Sequence, residues 1–239
     1  MFEQERVFQR GGAAAQDAAL FDAGLRAHML RVYNYMASGV LLTGIVSLVV
    51  ASTPVLVQAI FGTPLKWVFM FAPLAFVFFF SFRLDKMSAF AAQAAYWAFA
   101  AVMGVSMASV FLVFTGTSIA QTFFIAAAMF TAMSLYGYTT KADLSRFGSF
   151  LTMGLIGVLI ASLVNLFLGS SALQFAISVI GVLVFVGLTA WDTQNIKVQY
   201  ADNLGYETQS KLAVFGALSL YLNFVNIFQL LLNLTGERE

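Results

Sequence analysis

Residues 212–234 read LAVFGALSLYLNFVNIFQLLLNL, without one charged side chain. A helix needs about 20 predominantly apolar residues to cross the hydrocarbon of a bilayer, and this stretch is long enough. It has no period-two alternation, so it is not a barrel strand. In lipid every backbone group must find its partner inside the structure, and a single segment does that as a helix. Ser219, Asn223, Asn226 and Asn233 recur within it at spacings of 4, 3 and 7. Those spacings put them on one helix face. A polar face in a span either packs against other helices or lines water, and both predict a helix internal to a bundle.

Outward from this stretch, the rest of the chain has the same character. Of its 239 residues 61% are hydrophobic and 10% charged, and the mean hydropathy is +0.87. A soluble domain carries roughly 25% charged residues, so lipid must cover this surface. Six further apolar runs lie at about 29–51, 67–82, 87–114, 118–138, 147–169 and 172–196. The breaks fall at Thr63 to Lys66, Arg83 to Lys86, Thr115 to Thr117, Lys141 to Arg146, Gly169 to Ser171, and Lys197 to Lys211. The expectation is an all-α membrane protein of seven transmembrane helices. Residues 29–235 form its single membrane domain, and residues 1–28 a polar cytoplasmic tail.

That tail argues against a cleavable signal, because the first apolar run starts late and is long. Phe21, Leu25 and Val32 sit at helical spacing with Asp22 and Arg26 off their face. This fits a short interfacial helix or a disordered tail. Placing the N-terminus inside puts Arg6, Arg10, Arg26, Arg31, Arg83, Lys86, Lys141, Arg146, Lys197 and Lys211 on the inner side. Only Lys66 and Arg238 are then outside, which satisfies the positive-inside rule. Seven full spans put the C-terminus outside; a re-entrant last segment would reverse that. Ridges of small residues, Gly39-Thr43-Ser47 and Ala100-Gly104-Ala108, predict close helix packing. Tyr33, Tyr35, Trp67, Tyr136, Tyr138 and Trp191 lie near the expected interfaces.

Several functions are excluded early. A net charge of +1 offers no basic stripe for nucleic acid. There is no cysteine, the one histidine is His28 at the edge of the first span, and no GxxxxGK[ST] motif occurs. No enzyme is expected, and no tightly bound cofactor. The ionisable exception within a span is Asp192, near the end of the sixth run. A carboxylate there is costly and faces a cavity or a partner; it reads as a cation or proton site, or as a solvated interfacial group beside a loop lysine. In the Lys141–Arg146 break, Asp143 or Ser145 fits a helix cap.

Three stretches taken together are familiar: SLYGYTTKADL at 134–144, GLTAWDTQ at 187–194 and LSLYLNF at 218–224. With Arg31-Val32-Tyr33 and the Gly39–Gly44 segment, the chain over about 30–235 resembles the Bax inhibitor-1 family (the transmembrane BAX-inhibitor-motif proteins), in its bacterial branch. The resemblance implies that the last helix is central and surrounded by the other six. It implies a pH-sensitive calcium leak gated by two aspartates on the sixth and seventh helices. Two carboxylates at close range share a proton and titrate as a unit.

Asp192 matches the first of these aspartates, and would be the metal-contacting group for a passing Ca2+. The second position is held here by Asn223, so the proton-sharing pair is incomplete, although the amide can still bond the carboxylate. Asn226 and Ser219 would line the same path. The family's basic latch on the second helix has no motif match; Arg83 is the candidate by its position, and it serves equally as a positive-inside anchor. The resemblance also allows a non-conducting regulator that binds another membrane complex such as a AAA protease, through the N-terminal tail.

Overall fold

The computed structural model describes residues 2–83, 86–201 and 203–238; the side chains of 2–19 and of Ser81 lie outside the description. The side chains of Arg6 and Arg10 of the inner-side count, and residues Leu84 and Asp85 of the second break, fall outside the description. Eight helices follow in order: α1 Phe2–Ala51, α2 Pro54–Phe61, α3 Leu65–Arg83, α4 Ala89–Val113, α5 Gly116–Thr139, α6 Ser145–Leu168, α7 Ser171–Gln199 and α8 Tyr206–Thr235. Six are long and apolar enough to cross a membrane, counting α1 from Leu20. The α2–α3 pair, bent by 80° at its break, supplies the seventh.

Helix α2 lies where only a break was expected. Pro54 sits at its first position, where the missing N–H costs no hydrogen bond, and the apolar run behind it completes two turns. Gly62 and Pro64 then end it. Eight residues make about 12 Å of helix, too short to span. The expected tail helix is likewise not a separate element. α1 runs unbroken through residue 28, and Leu25 and Val32 are buried at 7% and 0% exposure. The apolar face of the first span thus begins inside the segment read as tail.

Turn chemistry separates the later spans. Ser88, Thr115 and Ser170 cap α4, α5 and α7, each side-chain oxygen accepting a backbone N–H of the first turn. Gly169 ends α6 at φ 60°, a left-handed conformation that favours glycine. Asp143 accepts the Ser145 N–H at 2.9 Å at the start of α6, which realises the expected cap from one residue outside the N-cap position. The backbone and side-chain hydrogen bonds from Ser145 hold the Asp143 carboxyl below its ordinary range.

The two small-residue ridges meet each other. Thr43 Oγ1 donates to Ala100 O at 2.9 Å and Ser47 Oγ to Gly104 O at 2.7 Å. A Cβ at Gly104 would stand 2.7 Å from Val46 Cβ and 2.9 Å from Thr43 O, so only glycine permits the approach of α1 and α4. Gly137 of α5 packs in the same way against the Ala190 carbonyl of α7.

α8 is the central helix. It packs directly on α1, α4, α5 and α7, while α3 closes on α4 and α6 on α7. The contrast in burial defines the layers: 61% of the apolar stretch of α8 is buried and only 11% of that of α6. α6 shows Phe150, Met153, Ile160 and Phe167 outward, as a lipid-facing wall does. α8 is one unbroken helix and not a re-entrant segment. The chain after it returns to the α4–α5 turn: Thr115 N donates to Glu237 O, and Glu237 N to Ser118 Oγ, each at 3.0 Å. At the opposite end, Phe21 and His28 of α1 pack on Tyr200 after α7 with ring centroids 5.4 Å apart. The chain end and the start of the first span therefore lie at opposite ends of the bundle, as seven crossings require.

Candidate functional site

α7 carries the sequence Thr189-Ala190-Trp191-Asp192-Thr193-Gln194 into the middle of the bundle's polar contacts. Thr189 and Thr193 are fully buried and return hydroxyl hydrogen bonds to the helix at 2.8 Å. Between them the half-buried Asp192 reaches α8. There Asn223, 4% exposed, donates from Nδ2 to Asp192 Oδ2 at 2.6 Å. The two positions selected from sequence are thus in direct contact, with the amide as donor and the carboxylate as acceptor. A hydrogen bond to an ionised acceptor is roughly twice as strong as a neutral one.

The end of α7 is fixed from the α5–α6 loop. Gln194 Oε1 accepts the Leu144 N–H, and its Nε2 donates to Ala142 O, both at 2.8 Å. Lys197 Nζ donates to Tyr138 O at 2.9 Å. The backbone of this loop and of the end of α5 therefore braces the helix that bears Asp192.

One turn beyond Asn223, Asn226 donates to the Leu222 carbonyl at 2.7 Å and lines a cavity of about 650 Å³ between α3, α4, α6 and α8. Ser106, Ser109 and Gln229 supply its other hydrogen-bonding groups, and Lys66 stands on its α3 side. Ser109 and Gln229 also line a smaller cavity of about 230 Å³ that reaches Asn233 and Phe114, beside the chain end. The two cavities share Ser109 and Gln229, and the larger one reaches Leu222 and Asn226 on α8. Ser219 is half-buried one turn to the other side of Asn223. Arg83 ends α3 in an exposed position, and the structure does not bring it onto Asp192, whose hydrogen-bond partner is Asn223.

Two residues of this region were missed from sequence. Gln229 continues the polar face three residues after Asn226, and its spacing was the available signal. Tyr221 is fully buried, and its hydroxyl lies 2.6 Å from Thr43 Oγ1. Its ring meets Tyr96 and Phe99 edge-on, with centroids 6.2 Å and 5.6 Å away. It stands off the polar face, so nothing in the spacing marked it.

A single carboxylate with one amide beside it binds a hard cation weakly, since Ca2+ takes six to eight oxygens. Among the described residues no group of three His, Cys, Asp or Glu side chains could hold a metal.

A bundle wrapped around a helix that is polar on one face, and joined there to a half-buried carboxylate, defines a polytopic helical membrane protein. Residues 25–239 match the family model described as Inhibitor of apoptosis-promoting Bax1, and the chain belongs to that family. An uncharacterised protein of Rickettsia prowazekii is 48% identical over 219 residues, covering 92% of this chain and 93% of its own length. The inner membrane protein YbhL of Escherichia coli is 43% identical over 220 residues, with 91% and 94% covered. An uncharacterised membrane protein of Streptococcus pyogenes is 42% identical over 141 residues, or 59% and 61%.

Proposed function

We propose that this protein is a slow cation leak, for Ca2+ or H+, in which Asp192 is the carboxylate of the conduction path. The observation that carries the reading is the 2.6 Å contact between Asn223 and Asp192, one turn of α8 from Asn226, which lines the cavity of about 650 Å³. A carboxylate held inside a span attracts cations, and weak coordination lets them leave. Asn226 and Gln229 line the approach, and Ser219 continues the polar face beyond the pair. Asn223 replaces a second carboxylate, so the leak responds only weakly to pH. Arg83 as a latch is a lesser part of the proposal. The protein sits in an inner membrane, as YbhL is named, with its N-terminus on the cytoplasmic side and its C-terminus outside; the distribution of Lys and Arg supports this orientation.

The test is Ca2+ flux into proteoliposomes containing the natural chain or Asp192→Ala, with circular dichroism to show that both are folded. Flux in the variant falls at least tenfold if the carboxylate conducts; equal flux removes Asp192 from the path.

The missing second carboxylate also favours a second reading, a non-conducting regulator that binds another membrane complex such as a AAA protease. Co-purification of a protease with the full chain, lost on deleting the residues before Arg26, supports that reading. It gains further if proteoliposomes of the natural chain pass no cations.

A further inference from the structure

A third cavity, of about 530 Å³, lies between the start of α8, the start of α4 and α1. It is at the end of the bundle away from the cavity above Asn223. Its chemistry is different as well. Arg31 of α1 lines it, together with the amides of Asn34 and Gln93 and the hydroxyl of Ser210; no carboxylate does. Trp97 and Tyr206 form the aromatic part of the wall. The Arg31 guanidinium lies over the Tyr206 ring, 5.6 Å from its centroid.

Ser210 is the decisive residue. It is 2% exposed, and its Oγ is buried without a hydrogen-bond partner. A buried hydroxyl left unpaired costs roughly 1–3 kcal/mol, which a folded protein accepts where a ligand completes the bond. Ser210 stands one turn into α8, the helix end at which negative charge is favoured. Glu207 of that turn is exposed and does not line the cavity. Every polar side chain here can donate a hydrogen bond, one of them carries a fixed positive charge, and a Trp marks the depth of a membrane interface.

We infer that the cavity between α1, α4 and α8 binds a phosphate ester, with Arg31 and Ser210 donating to its oxygens while Asn34 and Gln93 close around it. A membrane offers that chemistry in the headgroup of an anionic phospholipid, and basic pockets between transmembrane helices take such headgroups. A soluble phosphate ester offers it as well. The site is independent of Asp192 and of whether the protein conducts.

Native mass spectrometry of the full chain in detergent tests this with three probes: phosphatidylglycerol, the diacylglycerol with the same chains but no phosphate, and glycerol phosphate. The chain retains phosphatidylglycerol in preference to diacylglycerol. Arg31→Gln weakens retention about tenfold, as loss of a charge-assisted pair does. Ser210→Ala weakens it severalfold while the lipid-free protein melts at the same temperature or higher, because an unpaired buried hydroxyl has been removed. A purely structural role for Ser210 would not separate those two readouts. Displacement of the lipid by glycerol phosphate identifies a soluble ester as a second source; failure to displace it identifies the lipid. Equal retention of the phosphate-free lipid overturns the inference. So does unchanged phosphatidylglycerol retention in Ser210→Ala, a variant that keeps its value if Arg31→Gln does not fold.

Discussion

The central helix is held on two sides by two kinds of chemistry. Towards α1 and α4, α8 offers Tyr221, whose hydroxyl joins Thr43 while Thr43 donates onward to Ala100 O. That side is neutral, fully buried and packed with Tyr96 and Phe99. Towards α7, α8 offers Asn223 to a single carboxylate, next to residues that open on a cavity. Neutral hydroxyl networks in a close-packed interior fix a position. A lone charge beside a cavity can exchange its partner for an ion or a water. The difference shows why a bundle of this sort can be rigid around one face of a helix and responsive on the other.

The strongest way to sharpen this contrast is Asn223→Asp. It places two carboxylates in hydrogen-bond reach, and as both ionise their repulsion drives α7 and α8 apart. Ca2+ flux in proteoliposomes should then rise about tenfold more between roughly pH 5 and pH 8 than in the natural chain, over the range in which such a pair titrates. A flat profile would show that the α7–α8 contact is as inert as the α1–α8 one. Next in size is a purely steric change on the neutral side. Gly104→Val should destabilise the bundle by about 1–3 kcal/mol, the usual cost of overpacking, because its Cβ meets Val46 and the Thr43 carbonyl. Gly157→Val on α6, with nothing within 4 Å, is the control and should leave the unfolding midpoint in detergent unchanged.

Smaller again is Tyr221→Phe. It removes one of the Thr43 contacts but leaves the Thr43–Ala100 bond, so about 1 kcal/mol of stability is lost and flux is retained. The smallest effect lies in the loop that braces α7. Hydrogen bonds from Ser145 depress the Asp143 carboxyl, so the folded state binds its proton less readily than the unfolded chain does. The cap is therefore fully present above the ordinary carboxylate range and fades below about pH 4. Melting curves of the natural chain and Asp143→Asn should differ slightly at neutral pH and converge in acid. A difference that does not shrink as the pH falls through and below the ordinary carboxylate range would contradict that assignment.

Much of this was legible in the sequence, for reasons that individual residues make plain. Stretches as long and uncharged as 212–234 have one stable solution in lipid, so the spans could be located, although α1 and α8 begin well before the apolar runs do. The polar face at Ser219, Asn223 and Asn226 announced the central helix because unpaired amides are intolerable in hydrocarbon. The contact of Asp192 with Asn223 followed from the family resemblance and not from spacing. Periodicity assigns a residue to a face of its own helix, but does not say which helix will lie against that face. Tyr221 escaped for that reason: its importance comes from Thr43, distant in sequence and adjacent only after folding. α2 escaped because eight residues carry too little periodic signal to separate a short helix from a loop. The cavity at Arg31 and Ser210 escaped because its lining comes from three helices, and no one of them shows a pattern.

The central claim is that the charged side of α8 carries ion movement and the neutral side carries only packing. Parallel Ca2+ flux measurements on proteoliposomes of Asp192→Asn and Tyr221→Phe, each at matched protein density, test it most directly. Asp192→Asn preserves shape and hydrogen bonding while removing the charge, and the account predicts a loss of at least tenfold in flux, with Tyr221→Phe close to the natural chain. Full flux in Asp192→Asn, or an equal loss in both variants, would contradict it.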